Sequence, residues 1–298
     1  SWRCPSQQWR TPCGQPYGTG SGDQGMFCSG LIACDFMAGE LLMEFRFTGT
    51  GDSAQVPRFG CGCAACTRAR VFTSLQRGPC SAEVRVDGKR YLLDAGRMDL
   101  ALSCEIERPA AFLITHYHAD HVQGLFHLRW GSGESIPVYG PKDPHGCADL
   151  HRNPGVLDFQ PGLKPFKPIK LDSLTVTPVP LKHSKPTLGY CLDDGGTRLA
   201  YLTDTFGLPV ETERFLNSWQ PDVVVLDACH PASYLTPRNH NTITQALDII
   251  TRLNPPRAYL THISHDLDAE CLVKPPDLPL KVRIAKDGDT LADWSRTH

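Results

Sequence analysis

Residues 113–121, Leu-Ile-Thr-His-Tyr-His-Ala-Asp-His, join an apolar strand to a cluster of metal-ligand side chains. The apolar run 110–115 has no polar alternation, which predicts a buried strand of a parallel sheet. A core rarely holds charged and imidazole groups without partners, so the cluster lies in a site or a solvated loop. Imidazole and carboxylate together suit Zn, Mn or Fe, and the crowding of four such side chains in six residues indicates more than one ion. The cluster consists of His116, His118, Asp120 and His121.

The composition is that of an ordinary globular protein, with 298 residues of which 41% are hydrophobic and 21% charged. A net charge of −2 argues against a general polyanion-binding surface, although a metal pair would still attract a small anion. No apolar run reaches the roughly 18 residues of a membrane span. Of the thirteen cysteines, four lie in residues 1–42, three lie together in 61–66 and six are scattered singly, and the scattered ones fit reduced thiols better than disulfides. We therefore expect a cytoplasmic protein without membrane partners.

Residues 1–42 differ from the rest of the chain, being rich in Gly, Ser, Gln and Cys and lacking helical or strand periodicity. The alternating segment 44–47 after Met43 predicts the first strand. We expect 1–42 to be a non-native or disordered leader, with Met43 as the natural start and 43–298 as one domain. The alternative is a genuine extension of unknown use.

Strands and helices alternate beyond Met43, which predicts an α/β (or α+β) protein. A hairpin is predicted over 82–96 with its turn at Asp87-Gly88, and the proline-rich segment 142–170 is predicted to be an irregular loop. Helices are predicted over 97–104, 121–128, 209–217 and 241–253. Further strands are predicted over 136–141, 174–180, 188–194, 198–204, 221–228 and 257–262. Several strands run into a metal-type residue, and sites in α/β proteins gather at the carboxyl ends of strands.

The order of these motifs resembles the metallo-β-lactamase superfamily. The segment 116–121 matches its H-x-H-x-D-H signature, and four further residues follow the order of its other motifs: Asp94, His183, Asp204 and His262. The resemblance implies a four-layer αββα sandwich. It also implies one metal on His116, His118 and His183, a second on Asp120, His121 and His262, and Asp204 bridging both. Seven such ligands are too many for one tetrahedral ion but fit a two-metal hydrolase.

A second cluster, Cys61, Cys63 and Cys66, has the spacing C-x-C-x-x-C. Three thiolates favour zinc, and a closed structural site needs a fourth ligand. His265 is the best candidate because it lies three residues after His262, so that a zinc ion there would anchor an active-site loop. The alternative is a redox pair or buried thiols.

Five further segments narrow the resemblance to the cyclic phosphodiesterases of the PhnP family. These segments are T-G-T-G, C-x-C-x-x-C, H-S-K, P-R-N-H and T-H-I-S-H. The resemblance implies hydrolysis of 5-phosphoribosyl 1,2-cyclic phosphate to ribose 1,5-bisphosphate, in the carbon–phosphorus lyase pathway of phosphonate catabolism. It also implies two Mn²⁺ (or Zn²⁺) at the active site and one structural Zn²⁺. Asp120 would serve catalysis as well as metal binding. His240 is the candidate general acid, and His230 is the weaker alternative.

Two other functions compete with this one. A tRNA 3′-processing ribonuclease shares the metal motifs but needs an RNA-gripping arm and a basic surface, and neither is visible. A non-catalytic metal-binding accessory protein would be expected to lose ligands, and all seven are present. We thus expect a small-molecule cyclic phosphodiester substrate and no stable nucleic acid, with a homodimer left open. Lys185, Arg129 and Arg238 are basic and near motifs, but the sequence does not select which would bind the 5-phosphate.

Overall fold

The computed structural model describes residues 43–292, so the expectations for the leader 1–42 lie outside the described residues. The strands are β1 (Glu44–Gly49), β2 (Ser81–Val86), β3 (Lys89–Leu93), β4 (Ala111–Leu113), β5 (Ile136–Tyr139), β6 (Leu157–Phe159), β7 (Ile169–Leu171), β8 (Leu174–Leu181), β9 (Thr187–Asp193), β10 (Arg198–Leu202), β11 (Val223–Asp227), β12 (Arg257–Thr261) and β13 (Val282–Ile284). The helices are α1 (Ala64–Val71), α2 (Leu100–Ile106), α3 (Ala119–Leu128), α4 (Ala148–Arg152), α5 (Val210–Trp219), α6 (Ile243–Leu253) and α7 (His265–Val273).

The strands form two sheets. The first has the order β1-β2-β3-β4-β5-β6, and the second has the order β13-β12-β11-β10-β9-β8-β7. In the first sheet β3 to β6 are parallel, and in the second β10 to β13 are parallel. The remaining pairs are antiparallel, including the predicted hairpin of β2 and β3. Each sheet therefore presents several strand carboxyl ends at one edge, where loops can gather functional groups.

The two sheets pack face to face with helices on their outer surfaces. Large side chains from both sheets fill the space between them, among them Phe45, Tyr91, Tyr190, Tyr201 and Tyr259. Helices α2 and α3 cover the first sheet, whereas α5, α6 and α7 cover the second. In β4, Ala111 and Leu113 face the other sheet and Phe112 faces the helices, which explains a run without polar alternation. The predicted αββα sandwich is confirmed.

The prediction of an irregular loop over 142–170 was wrong in part. This segment contains α4 and the strands β6 and β7, which form one edge of each sheet. Elements of three to five residues are too short to show periodicity. The helices α1 and α7 were missed because their sequences lack an amphipathic stripe, and β13 was missed as well. Among the described helices, none has the length and apolar character that crossing a membrane requires.

Candidate metal centre and active site

The predicted site residues come together at the carboxyl ends of strands from both sheets. His116 and His118 follow β4, and Asp120 and His121 lie in the first turn of α3. His183 lies between β8 and β9, and Asp204 and His262 follow β10 and β12 directly. Residues that are up to 146 positions apart in the chain thus lie close together because parallel strands end at the same edge.

Three imidazole rings point their nitrogens at one another. His118 Nδ1 lies 2.8 Å from His116 Nε2 and 3.0 Å from His183 Nε2. Burial lowers the pKa of all three rings, which keeps them neutral with lone pairs available. Neutral imidazoles whose nitrogens converge this closely are the donor set that a divalent transition metal ion prefers. The first predicted ligand group therefore fits a metal ion.

A second group surrounds the carboxylate of Asp204. Its Oδ2 lies 3.3 Å from His121 Nε2 and 3.2 Å from His262 Nε2, while Asp120 Oδ2 lies 3.3 Å from His121 Nε2. The Nε2 atoms of both histidines are buried and have no hydrogen-bond partner among the described residues. Burial opposes protonation, but the charge of Asp204 holds the pKa of both rings well above its usual range. The carboxylates thus favour positive charge here, which a metal ion would supply.

Asp204 connects the two groups. The same Oδ2 atom lies 3.7 Å from His116 Nε2 and 3.9 Å from His183 Nε2. One carboxylate oxygen is therefore within 4 Å of ring nitrogens in both ligand groups. Asp204 is fully enclosed, and the charges of His262 and His121 outweigh burial and keep its pKa well below the usual range. An ionised carboxylate in this position suits the predicted bridging role.

Asp94 supports the site from behind the metal ligands. Its carboxylate accepts hydrogen bonds from the backbone and hydroxyl of Thr115 and lies 2.8 Å from His121 Nδ1. This contact orients the His121 ring with Nε2 toward Asp204, as carboxylates commonly do for metal-binding histidines. Gly96 follows in the same loop, and a Cβ there would lie 1.6 Å from the Asp120 carbonyl oxygen. The glycine therefore lets this loop lie directly against the first turn of α3.

His240 lies beside the ligand groups, with its ring 5.1 Å from that of His183, and pairs with a residue that the sequence analysis missed. Its Nδ1 is 2.6 Å from Oδ2 of the fully buried Asp227, and its ring stacks on His262 with centroids 4.5 Å apart. Asp227 is the last residue of β11, so the rule that strands end on site residues could have found it. The weaker donor candidate, His230, stacks on Tyr234 and lies 6.1 Å from the His240 ring.

The four residues of the predicted zinc site also come together. Their candidate ligand atoms all lie within 4.8 Å of one another: the sulfurs of Cys61, Cys63 and Cys66 and a ring nitrogen of His265. Cys61 and Cys63 Sγ are each 3.6 Å from His265 Nδ1. A backbone N–H from Cys63 donates to Cys61 Sγ and lowers the pKa of that thiol, whereas burial raises the pKa of Cys66 to about 11. Because the described cysteines are free thiols, the cluster can bind an ion.

Residues 90–263 match the family described as the beta-lactamase superfamily domain, which is more than half of the chain. The chain belongs to the metallo-β-lactamase superfamily. The superfamily resemblance predicted from the motifs is therefore confirmed. This fold is that of metal-dependent hydrolases, and the His and Asp groups are its candidate sites for divalent ions. That these residues bind metal, and which metal, stays a prediction.

Individual proteins resemble the chain to different extents. A diphosphatase of the PhnP family is 27% identical with a TM-score of 0.70, over 84% of this chain and 96% of that one. The short form of human tRNase Z is 18% identical with a TM-score of 0.59, over 83% and 98%, which shows the fold alone. An octanoyltransferase of Porphyromonas gingivalis is 31% identical over 75% of this chain. Since the chain spans only 46% of that protein, its named activity is not carried over.

Proposed function

We propose that the chain is a metal-dependent phosphodiesterase that opens 5-phosphoribosyl 1,2-cyclic phosphate to ribose 1,5-bisphosphate in phosphonate catabolism. The observation that carries this proposal is the position of His240, held by Asp227, against the ligand group that Asp204 joins. A proton donor beside a candidate two-metal centre is the arrangement that a poor sugar leaving group needs. The similarity to a diphosphatase of the PhnP family supports chemistry at phosphorus.

Each of the two ligand groups would hold one ion. His116, His118 and His183 would hold one ion, while Asp120, His121 and His262 would hold the other, with Asp204 shared. When bound, two divalent cations supply positive charge for the phosphate oxygens and lower the pKa of water. The protein's part is to fix these side chains, and Asp94 does so for His121.

The leaving sugar oxygen needs a proton, and His240 is the residue that we propose to give it. An ionised carboxylate only accepts hydrogen bonds, so the contact with Asp227 places a proton on His240 Nδ1. In the imidazolium form Nε2 carries the second proton, and it is then the atom left to donate to the substrate. Stacking on His262 limits rotation of the ring and keeps it beside the second ligand group. Such a donor typically contributes about 10²- to 10⁴-fold to the rate.

The cysteine cluster would hold a structural zinc. Its fourth member, His265, begins α7 three residues after His262, and the hydroxyl of Ser264 between them donates to the Cys229 carbonyl oxygen at 2.6 Å. A zinc ion at the cluster would therefore fix the loop that positions His262. Free thiols in the described part of the chain are compatible with the proposed cytoplasmic location.

Hydrolysis of a diphosphate bond is the second candidate, favoured by the similarity to a diphosphatase. The two activities can be separated by incubating the Mn²⁺- or Zn²⁺-loaded protein with the ribosyl cyclic phosphate or with a nucleoside diphosphate sugar, and following products by ³¹P NMR. Replacement of the cyclic phosphate signal by one new phosphomonoester signal, beside the existing signal of the 5-phosphate, would support our proposal. Turnover of the diphosphate alone would favour the second candidate, and no turnover with either metal would contradict both.

A further inference from the structure

Lys185 and Asp143 form a charged pair beside the metal-ligand groups that the proposed reaction does not use. Lys185 Nζ lies 3.7 Å from Asp143 Oδ2, and the lysine follows His183 by two residues. The intervening Ser184 has its hydroxyl 3.3 Å from His118 Nε2, and the Thr187 hydroxyl donates to the Lys185 carbonyl oxygen. The lysine side chain is 29% exposed. It is thus a partly accessible cation at the rim of the site.

The carboxylate of Asp143 is held in a buried position. Only 8% of the residue is exposed, and Oδ2 is buried with no hydrogen-bond partner among the described residues. A Cβ on Gly146 would lie 2.6 Å from this oxygen and 2.5 Å from Tyr117 Cβ, so the turn closes tightly over the carboxylate. Burying a carboxylate is costly unless a charge compensates it. Lys185 is the cation within 4 Å that does so.

The distance between the two groups has a consequence for the lysine. At 3.7 Å the ammonium is attracted to Asp143 but does not donate a hydrogen bond to it. All three of its N–H groups remain available to another acceptor. Asp143 therefore fixes the position of the ammonium but leaves its hydrogen-bond donors available.

Another basic residue that follows a motif, Arg129, already has an ion-pair partner outside the site. Arg129 is buried, pairs with Asp149 at 2.7 Å, and lies over the Trp130 ring. These contacts hold its guanidinium at the end of α3, so it is not available to bind substrate at the metal-ligand groups. Lys182, next to His183, is placed over the Phe206 ring instead.

We propose that Lys185, positioned by Asp143, binds a second anionic group of the substrate, a phosphate remote from the phosphorus that reacts. This inference rests on the proposed function, because it assigns the recognition of the 5-phosphate. A charge-assisted hydrogen bond from an ammonium favours a phosphate over a hydroxyl at that position. The pair would thus select phosphorylated over unphosphorylated sugar cyclic phosphates.

The test compares the wild type with Lys185→Met, using ribose 1,2-cyclic phosphate with and without the 5-phosphate. We expect kcat/KM for the phosphorylated substrate to fall by about ten-fold or more, mainly through KM, and the preference for it to fall equally. Lys185→Arg should restore much of the preference. Lys182→Met, the matched control, should keep it. An unchanged preference in Lys185→Met would overturn the inference.

Binding separates this inference from the proposed reaction. Titration calorimetry with ribose 5-phosphate on the metal-loaded protein should show about ten-fold weaker binding to Lys185→Met than to Lys182→Met. If the wild type hydrolysed no cyclic phosphate but this difference appeared, the proposed function would fail and the anion site would stand. Equal binding by the two variants would reject the anion site, whether or not the protein is active.

Discussion

Asp227, fully buried at the end of β11, holds Nδ1 of His240 at 2.6 Å. The carboxylate also accepts backbone hydrogen bonds from Thr205 and Asn241 at 3.2 Å. These bonds fix the carboxylate, and the fixed carboxylate orients the imidazole. The candidate proton donor is therefore positioned by the same sheet edge that positions Asp204 and His262.

The loss of rate on replacing His240 should depend on whether the leaving group of the substrate needs a proton to depart. His240→Ala should lower kcat on the ribosyl cyclic phosphate by about 10²-fold or more, because the sugar oxygen must be protonated as it leaves. Bis(p-nitrophenyl) phosphate should lose much less, since p-nitrophenolate leaves without a proton. Steady-state kinetics on both substrates, with metal content checked by elemental analysis, measures this. A similar loss on both would argue that His240 has no role in proton donation.

Asp227→Asn should resemble His240→Ala in its leaving-group dependence, with a fall in kcat of about 10²-fold on the cyclic substrate. In place of Oδ1, the amide nitrogen would oppose the backbone N–H groups of Cys229 and Asn241. In place of Oδ2, it would oppose the backbone N–H of Thr205 and reverse the tautomer of His240. The pH profile of kcat is the measurement to make, because a purely structural role would not alter its shape. An unaltered rate and profile would contradict the positioning role.

Metal loading should release protons from one ligand group and not from the other. Asp204 raises the pKa of His121 and His262, so both rings are protonated at pH 7 in the metal-free protein. Burial lowers the pKa of His116, His118 and His183, so these rings are already neutral. Binding should release about two protons at pH 7, and affinity should rise with pH as this competition ends.

Calorimetric titration of Mn²⁺, which does not favour the thiolate cluster, in two buffers of different ionisation enthalpy counts these protons. His121→Ala should release about one proton fewer than the wild type. An observed enthalpy that is independent of the buffer would contradict the protonation states assigned to His121 and His262.

Cys63→Ser should lose zinc and stability. Cys63 contributes a sulfur to the cluster and also caps α1 by accepting from the Cys66 backbone. We expect one zinc fewer per chain and a melting temperature lower by about 5 °C or more. Cys271→Ser, which alters a half-buried thiol outside the cluster, is the control and should retain zinc. Full zinc content in Cys63→Ser would rule out the structural site.

Gly96→Ala should damage the site without altering any ligand. The new methyl group would overlap the Asp120 carbonyl oxygen and the Pro79 ring, so the Gly96 loop and the first turn of α3 must move apart. We expect a loss of about 1–3 kcal/mol in the free energy of unfolding and weaker metal binding. Urea unfolding and metal titration test this. At Gly196 a Cβ meets only an ordinary contact, so Gly196→Ala should behave as wild type.

The sequence by itself determined the fold class and nearly all of the candidate metal ligands. The H-x-H-x-D-H segment lies within six consecutive residues, and the apolar strands before His116, Asp204 and His262 are visible as local patterns. Such patterns are readable because strand burial and ligand chemistry are properties of short stretches. The short elements of 142–170 and the helices beside the cysteine cluster were missed because they show no period and depend on contacts elsewhere.

Only the tertiary structure decided how these residues relate to one another. Asp204 lies between the two ligand groups, Asp227 holds His240, and Asp143 holds Lys185 because the register of parallel strands and the packing of two sheets place distant loops together. Local periodicity shows which face of a strand is buried, but not which other strand ends beside it. Pairs separated by 13 and 42 positions therefore became visible as partners only in the folded chain.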